Sequence, residues 1–307
     1  MRLLGLIAGA ALVLGACSSS GGASSSASAR QLRVVASFYP LAEAAQRVGD
    51  QRVRVENLTP AGAEPHDLEL KASQVADVQD AAVVLVLGKG FQPAVEKAAA
   101  GRKGTVELLN KLPIEQRGKV DDAAPIGSSG TLDPHVWLDP VLMASVVDQV
   151  TAALTAADPD ASHAAEYQSN AATFKAQLAD LDTSYRTGLA TCARHEIVTS
   201  HEAFGRLAAR YGLTQQGILG LSPDAEPAPD RLAQLTDYVK AHGVTTVFTE
   251  TLVSPKVAQT LAREAGVKTD VLNPLEGLTK DQIAKGDNYV SVMGDNLAKL
   301  RAALGCP

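Results

Sequence analysis

Leu32-Arg-Val-Val-Ala-Ser-Phe-Tyr-Pro-Leu-Ala-Glu-Ala-Ala-Gln-Arg-Val-Gly-Asp-Gln-Arg-Val-Arg-Val-Glu-Asn-Leu58 decides the fold. Leu32 to Ser37 is an apolar run fit for a buried strand. Phe38-Tyr-Pro-Leu opens a helix through Val48, with Pro40 in the first turn, where a missing N–H costs nothing. Arg52 to Leu58 alternates polar and apolar residues, the period of a second strand. Strand, helix and strand in so short a run make a βα unit, and repeated βα units make a mostly parallel sheet.

The same scheme continues outward. Thr59 to Asp67 is a Gly- and Pro-rich loop. Ser73 to Ala81 and Phe91 to Ala100 read as helices. Ala82 to Leu87 reads as a buried strand closed by Gly88-Lys-Gly90, and Thr105 to Leu108 as a short one. Residues 113–134 lack periodicity and form a loop. Leu138 to Leu154 has helical spacing, and a longer helix follows from Ala161 to about Leu189. Its apolar positions Tyr167, Phe174, Leu178, Leu181 and Tyr185 repeat near 3.6 residues. About thirty helical residues would span about 45 Å, enough to bridge two domains.

The second half repeats the first. Glu196 to Ser200, Thr214 to Leu221, Thr245 to Thr249 and Thr269 to Leu272 read as strands. Glu202 to Tyr211, Asp230 to His242, Ser254 to Ala265 and Asn288 to Leu304 read as helices. The fold class is α/β: two lobes, each with a mostly parallel β-sheet flanked by helices, joined by one long rigid backbone helix. The expected domains are a lipoprotein signal peptide (1–16), a lipidated Cys and Ser/Gly tether (17–31), an N-terminal lobe (32–158), the linking helix (159–190) and a C-terminal lobe (191–307).

The first residues address the chain. Arg2 is followed by an apolar run from Leu3 to Leu14, too short for a confident membrane span. Leu14-Gly-Ala-Cys17 then resembles a bacterial lipobox, with Cys17 the lipidated residue. Ser18 to Ala29, nearly all Ser, Gly and Ala, cannot build a core and reads as a tether. An ordinary secretory peptide is the alternative; either way the folded part lies outside the cytoplasm. Formal net charge is −6 with no basic stripe, which gives nucleic-acid binding no support. Outside the cytoplasm Cys192 and Cys306 can pair as a disulfide, pinning the C-terminus near Ile197; two free buried thiols are the other reading.

Among only six histidines, three sit at chain breaks beside Pro, Asp or Ser. They are His66 in Ala-Glu-Pro-His-Asp, His135 in Asp-Pro-His-Val-Trp-Leu-Asp-Pro and His201 in Thr-Ser-His-Glu. Glu276 in Asn-Pro-Leu-Glu-Gly completes a set that can make a four-coordinate zinc site. His201 and Glu276 fall past strand carboxyl ends, where open parallel sheets bind ligands. Asp133 or Asp139 could take the second ring nitrogen of His135. Glu64 and Glu250 compete for ligand duty or for supporting a ligand. His163, His195 and His242 read as surface residues, and Trp137 as core beside the site. Neutral imidazoles favour zinc over manganese, which prefers more oxygen.

These motifs together resemble the zinc-binding lipoproteins of ABC importers, the ZnuA/AdcA type of the cluster A-I solute-binding proteins. The resemblance rests on Val34-Val-Ala-Ser-Phe-Tyr-Pro-Leu, Pro65-His-Asp, Asp133-Pro-His-Val-Trp-Leu-Asp-Pro, Ser200-His-Glu-Ala-Phe-Gly, Tyr211-Gly-Leu, Leu272-Asn-Pro-Leu-Glu-Gly-Leu and Asn288-Tyr-Val-Ser-Val-Met-Gly-Asp-Asn-Leu. It covers Leu32 to Leu304. It implies metal in the cleft between two lobes, with His66, His135, His201 and Glu276 as ligands and Zn(2+) as the ion. It also implies a high-affinity, monomeric carrier, anchored to the cell membrane by lipid, that delivers zinc to an ABC permease and its ATPase. It implies no enzyme activity. Two departures stand out. Residues 113–132 contain no His, where many relatives have a His-rich loop, and Asn273 stands where several have Asp. A manganese or other divalent-metal carrier, a zinc hydrolase with a His₃–water site and a secondary adhesin role are the alternatives. No His-Glu-x-x-His pair supports the hydrolase.

Overall fold

Two four-stranded parallel sheets with the same strand order frame the chain, as a computed structural model shows for residues 31–112, 114, 132–224 and 227–307. The signal peptide, Cys17, the tether up to residue 30 and nearly all of the 113–131 loop lie outside these described residues.

The first sheet holds β1 (Leu32–Ala36), β2 (Val53–Asn57), β3 (Val83–Val86) and β4 (Thr105–Glu107), in the order β2-β1-β3-β4. β1 pairs in register with β2, Leu32 beside Val53 and Ala36 beside Asn57. Both centre strands are buried almost throughout, the pattern of a parallel sheet covered on two faces. The covering helices are α1 (Tyr39–Gly49), α2 (Ala72–Asp80) and α3 (Pro93–Ala99). Pro40 and Pro93 occupy first-turn positions, as helix geometry allows.

α4 (Pro140–Ala157) and α5 (Ala164–Gly188) follow. α5 has 25 residues and so runs about 37 Å. It is shorter than its sequence suggests because residues 161–163 form a tight 3-10 turn capped by Asp160, and α-geometry starts only after it. Tyr167, Phe174, Leu178, Leu181 and Tyr185 are all buried. α5 packs against α1 and α4 on one side and the last helix on the other, so it links the lobes.

The second sheet holds β5 (Glu196–Thr199), β6 (Thr214–Gly217), β7 (Thr246–Thr249) and β8 (Lys268–Val271), in the order β6-β5-β7-β8. Its helices are α6 (Gly205–Tyr211), α7 (Pro229–Ala241), α8 (Lys256–Ala265), α9 (Lys280–Lys285) and α10 (Tyr289–Leu304). α6 starts three residues later than the periodicity suggests. The Glu202 N–H goes to Gly220 O, and the His201 carbonyl accepts from Thr199 and Gln215, so no helical turn closes there. A disulfide joins Cys192 to Cys306. Beside it Ala193 N and Arg194 N donate to Gly305 O and Leu304 O, so the chain end is tied to the entry of β5.

One apolar core runs from β1 through α1, α4 and α5 to Phe204, Phe248, Leu275 and α10. Two smaller ones lie on the far faces of the sheets. Each Leu, Val or Phe buried in this way contributes about 1.5–3 kcal/mol.

Candidate metal centre

Four donor side chains from four separate segments meet between the sheets: His66, His135, His201 and Glu276. One ligand atom from each lies within 4.8 Å of the others. Glu276 Oε1 is the hub, 3.3 Å from His66 Nε2, 3.4 Å from His135 Nε2 and 3.2 Å from His201 Nε2. His135 and His201 are fully enclosed, Glu276 is 1% exposed and His66 9%.

Each arm is fixed by its own local chemistry. His66 follows β2 in a loop with no regular structure. Its N–H donates to Glu64 Oε2 at 2.9 Å, and Gln92 Nε2 holds the preceding carbonyl, Pro65 O, at 3.1 Å. Phe91 covers the ring edge-on at 4.5 Å. His135 sits after Pro134. Asp133 Oδ1 accepts from its backbone N–H at 2.9 Å and lies 2.8 Å from Nδ1. Arg206, on α6, donates from Nε to Asp133 O at 2.8 Å. His201 stands just past β5. Glu250, just past β7, accepts from its backbone N–H at 3.0 Å through Oε1 and lies 2.7 Å from Nδ1 through Oε2.

Glu276 follows β8 on a strained arm. Leu275 has φ +56° and is buried, a left-handed conformation that costs a leucine about 1–3 kcal/mol. Asn273 Oδ1 accepts the Leu275 N–H at 2.8 Å. Asn296 grips Asn273 twice, accepting its N–H at 2.9 Å and donating to its carbonyl at 2.7 Å. Trp137 Nε1 donates to Pro274 O at 2.7 Å.

The electrostatics point to a cation. The carboxylates on Nδ1 of His135 and His201 make each Nδ1 the protonated nitrogen, so each Nε2 turns a lone pair inward. His135 Nε2 is buried without a hydrogen-bond partner. Lone pairs and a carboxylate oxygen repel unless a proton or metal ion lies among them. Without metal a proton takes that place. Burial alone would lower the His201 pKa, but Glu250 and Glu276 outweigh it and raise it well above the usual imidazole value. His135 is raised in the same way by Asp133 and Glu276, against burial. Burial would raise Glu276, but His201, His135 and His66 hold it well below the carboxylate range. A dication with bonds of about 2.0–2.1 Å sets tetrahedral ligand atoms about 3.3 Å apart, matching the separations around Glu276 Oε1.

The remaining acidic candidates divide. Asp133 and Glu250 stand behind ring nitrogens. Glu64 lies beside His66, with Oε1 3.9 Å from Nε2. Burial, then Glu276 and Asp224, push its pKa up to about 8. Asp139 does not serve His135. It caps α4, accepting from Val141 N and Leu142 N at 2.9 and 3.3 Å, and pairs with Arg210. The Asp-Pro step before a helix is itself a cap signature that marks this role. His163, His195 and His242 lie elsewhere: His163 Nδ1 is 2.9 Å from Asp158, and the other two are exposed. Gln92, Arg206 and Asn296 support the arms but carry no local sequence signal, because each acts across a long separation.

Comparison with known proteins agrees with this geometry. The family described as ZnuA, zinc-uptake complex component A, periplasmic, matches residues 34–303. The chain is 37% identical over 308 residues to the high-affinity zinc uptake system protein ZnuA of Bacillus subtilis, covering 97% of this chain and 96% of that one. It is 39% identical over 279 residues to the zinc-binding lipoprotein AdcA of Streptococcus pneumoniae, covering 88% of this chain and 55% of AdcA. The chain thus spans about half the length of that relative. The crystal structure of the Zn(II)-bound ZnuA-like domain of Streptococcus pneumoniae AdcA superposes with a TM-score of 0.74 at 37% identity, covering 90% of this chain and 99% of that one.

Proposed function

The chain belongs to the ZnuA family, and on that premise we propose that it is an extracytoplasmic, lipid-anchored zinc carrier, not an enzyme. It captures one Zn(2+) and delivers it to an ABC permease and its ATPase. The ligands are His66, His135, His201 and Glu276. The observation that carries this reading is the convergence of three imidazole Nε2 atoms on one buried carboxylate oxygen. Three nitrogens and one oxygen suit zinc, which accepts borderline-soft imidazole more readily than manganese does. A fourth protein donor at the corner where a hydrolase would keep water supports a closed carrier site. The domain boundaries that accompany this reading are a signal peptide at 1–16, lipidated Cys17 with its tether to 31, lobes at 32–158 and 191–307, and the helix between them.

Zinc needs no chemistry at this site. The chain has to present Nε2 of each ring unprotonated. Asp133 and Glu250 do this for two rings by holding the Nδ1 protons. Glu276 supplies the negative charge, and burial excludes competing water. The test is metal content and zinc titration of the purified protein beside a Glu276→Ala variant. One zinc per chain, with a large affinity loss in the variant, is the expected result. Zinc bound equally well without Glu276 would leave a three-histidine site with an open position and overturn the closed-site reading.

A further inference from the structure

We propose that Asn273 and Asn296 are positioning residues that hold the left-handed Leu275 peptide, fix Glu276 as a single-oxygen donor and so set the preference for zinc over manganese. This inference rests on the zinc-carrier reading above.

Three non-glycine residues have positive φ among the described residues: Asp50, Lys89 and Leu275. The first two are exposed turn positions, where water and space relieve the backbone. Leu275 is fully buried and directly precedes a metal-site carboxylate. A strained conformation survives in a core only where its surroundings over-determine it. Here they do. Asn273 Oδ1 takes the Leu275 N–H, Asn296 holds both the N–H and the carbonyl of Asn273, and Trp137 holds the Pro274 carbonyl. The three peptides that join residues 272 to 275, just ahead of Glu276, are therefore all tied from the side.

Asn273 carries a second clue. Its Nδ2 is buried with no hydrogen-bond partner. A buried unpaired donor is costly, and an apolar side chain would avoid it. What an apolar residue could not supply is the Oδ1 acceptor that closes the turn around Leu275. The turn is built to place Glu276 at the cost of an orphan donor.

Placement decides metal preference through coordination number. Zinc is satisfied by four donors at short distance. Manganese prefers more oxygen, which a freely swinging carboxylate supplies by binding through both oxygens. An arm that keeps one oxygen equidistant from three Nε2 atoms resists that change.

The test compares Asn296→Ala, Asn273→Ala and Asn273→Asp with the parent protein. Zinc and manganese affinities, the visible spectrum of the cobalt(II) form and the melting temperature without metal are measured for each. In both alanine variants zinc affinity should fall about tenfold or more, while manganese affinity holds or rises. The cobalt bands should also lose the intensity typical of four-coordination. Asn273→Asp keeps the acceptor for Leu275 N–H and should restore the parent's zinc-to-manganese ratio and cobalt spectrum. Equal losses for both metals with an unchanged cobalt spectrum would mean a merely structural role and overturn the proposal. So would unchanged zinc affinity, or alanine variants that both fail to fold. If the parent itself binds no zinc, the carrier reading fails instead, an outcome the parent titration separates from failure of the clamp.

Discussion

The two lobes share one strand order but hold their donors differently. The C-terminal lobe offers His201 two residues past the end of β5, bonded by Glu250, and Glu276 on a short arm past β8 whose peptides Asn296 of the same lobe and Trp137 of the other hold. The N-terminal lobe offers His66 from the loop between β2 and α2, steadied by Gln92, and His135 from a segment that Arg206 of the other lobe holds through Asp133. Exposure sets His66 apart, at 9%, from His135, His201 and Glu276, at 0%, 0% and 1%. His201, close to the end of β5, inherits the rigidity of the sheet, while His66 stands in a loop and is the most exposed of the four donors.

Removing one donor from each lobe should test this contrast most severely. His201→Ala should weaken zinc by roughly a thousandfold, because it also strands the buried Glu250 without a partner. His66→Ala should cost clearly less. Competition with a chelating dye measures both, and an equal or larger loss for His66 would erase the distinction between the lobes. Next in size is the disulfide. Cys192→Ser with Cys306→Ser should lower stability by about 2–5 kcal/mol in urea unfolding, with zinc affinity near the parent's, since the bridge lies away from the donors. A parallel loss of zinc would show that the C-terminal arms depend on the tied chain end.

Smaller effects probe the carboxylates behind the rings. Glu250→Gln and Asp133→Asn should each weaken zinc about 10- to 100-fold, the Glu250 change more, because that residue bonds both the backbone and the ring of His201. The reverse order, found by the same dye titration, would place the more rigid histidine in the other lobe. The gentlest probe is pH. The raised His201 pKa stabilises the metal-free fold below the unfolded value near 6.5, and that contribution is lost as pH rises through the folded value. Zinc needs the same nitrogen bare. Its affinity should therefore fall as pH drops below the folded value, by about tenfold per unit for each proton displaced. Calorimetric titration between about pH 5 and 7.5 checks this, and a flat profile would contradict the protonated metal-free site.

In both lobes the alternating elements and the donors are legible in the sequence, and the residues that hold the donors are not. Valine-rich strands such as Val83–Val86 and helices opened by Pro40 or Pro93 carry short-range signals, so alternating strands and helices follow from the residues alone. The four donors also stood out, because Pro, Asp or Ser beside a histidine is a poor helix context. α9 has six residues and too little periodicity to be expected as a helix, although Thr279 and Gln282 form a capping box. Asp133 lies two residues before His135 and Asp139 four after it, and only the start of α4 separates their roles. Gln92, Arg206 and Asn296 act across separations that no local pattern spans, 27 residues from Gln92 to Pro65 and 23 from Asn296 to Asn273.

Trp137 is the chain's one tryptophan. Its ring centre is 5.2 Å from that of His135, and its N–H holds the peptide that leads to Glu276. Indole emission therefore comes from a single address, where the two lobes meet around the metal. Protonated imidazole quenches a neighbouring indole, and a bound ion replaces that proton. The protein carries its own optical gauge of loading, readable in ultraviolet light without any attached dye.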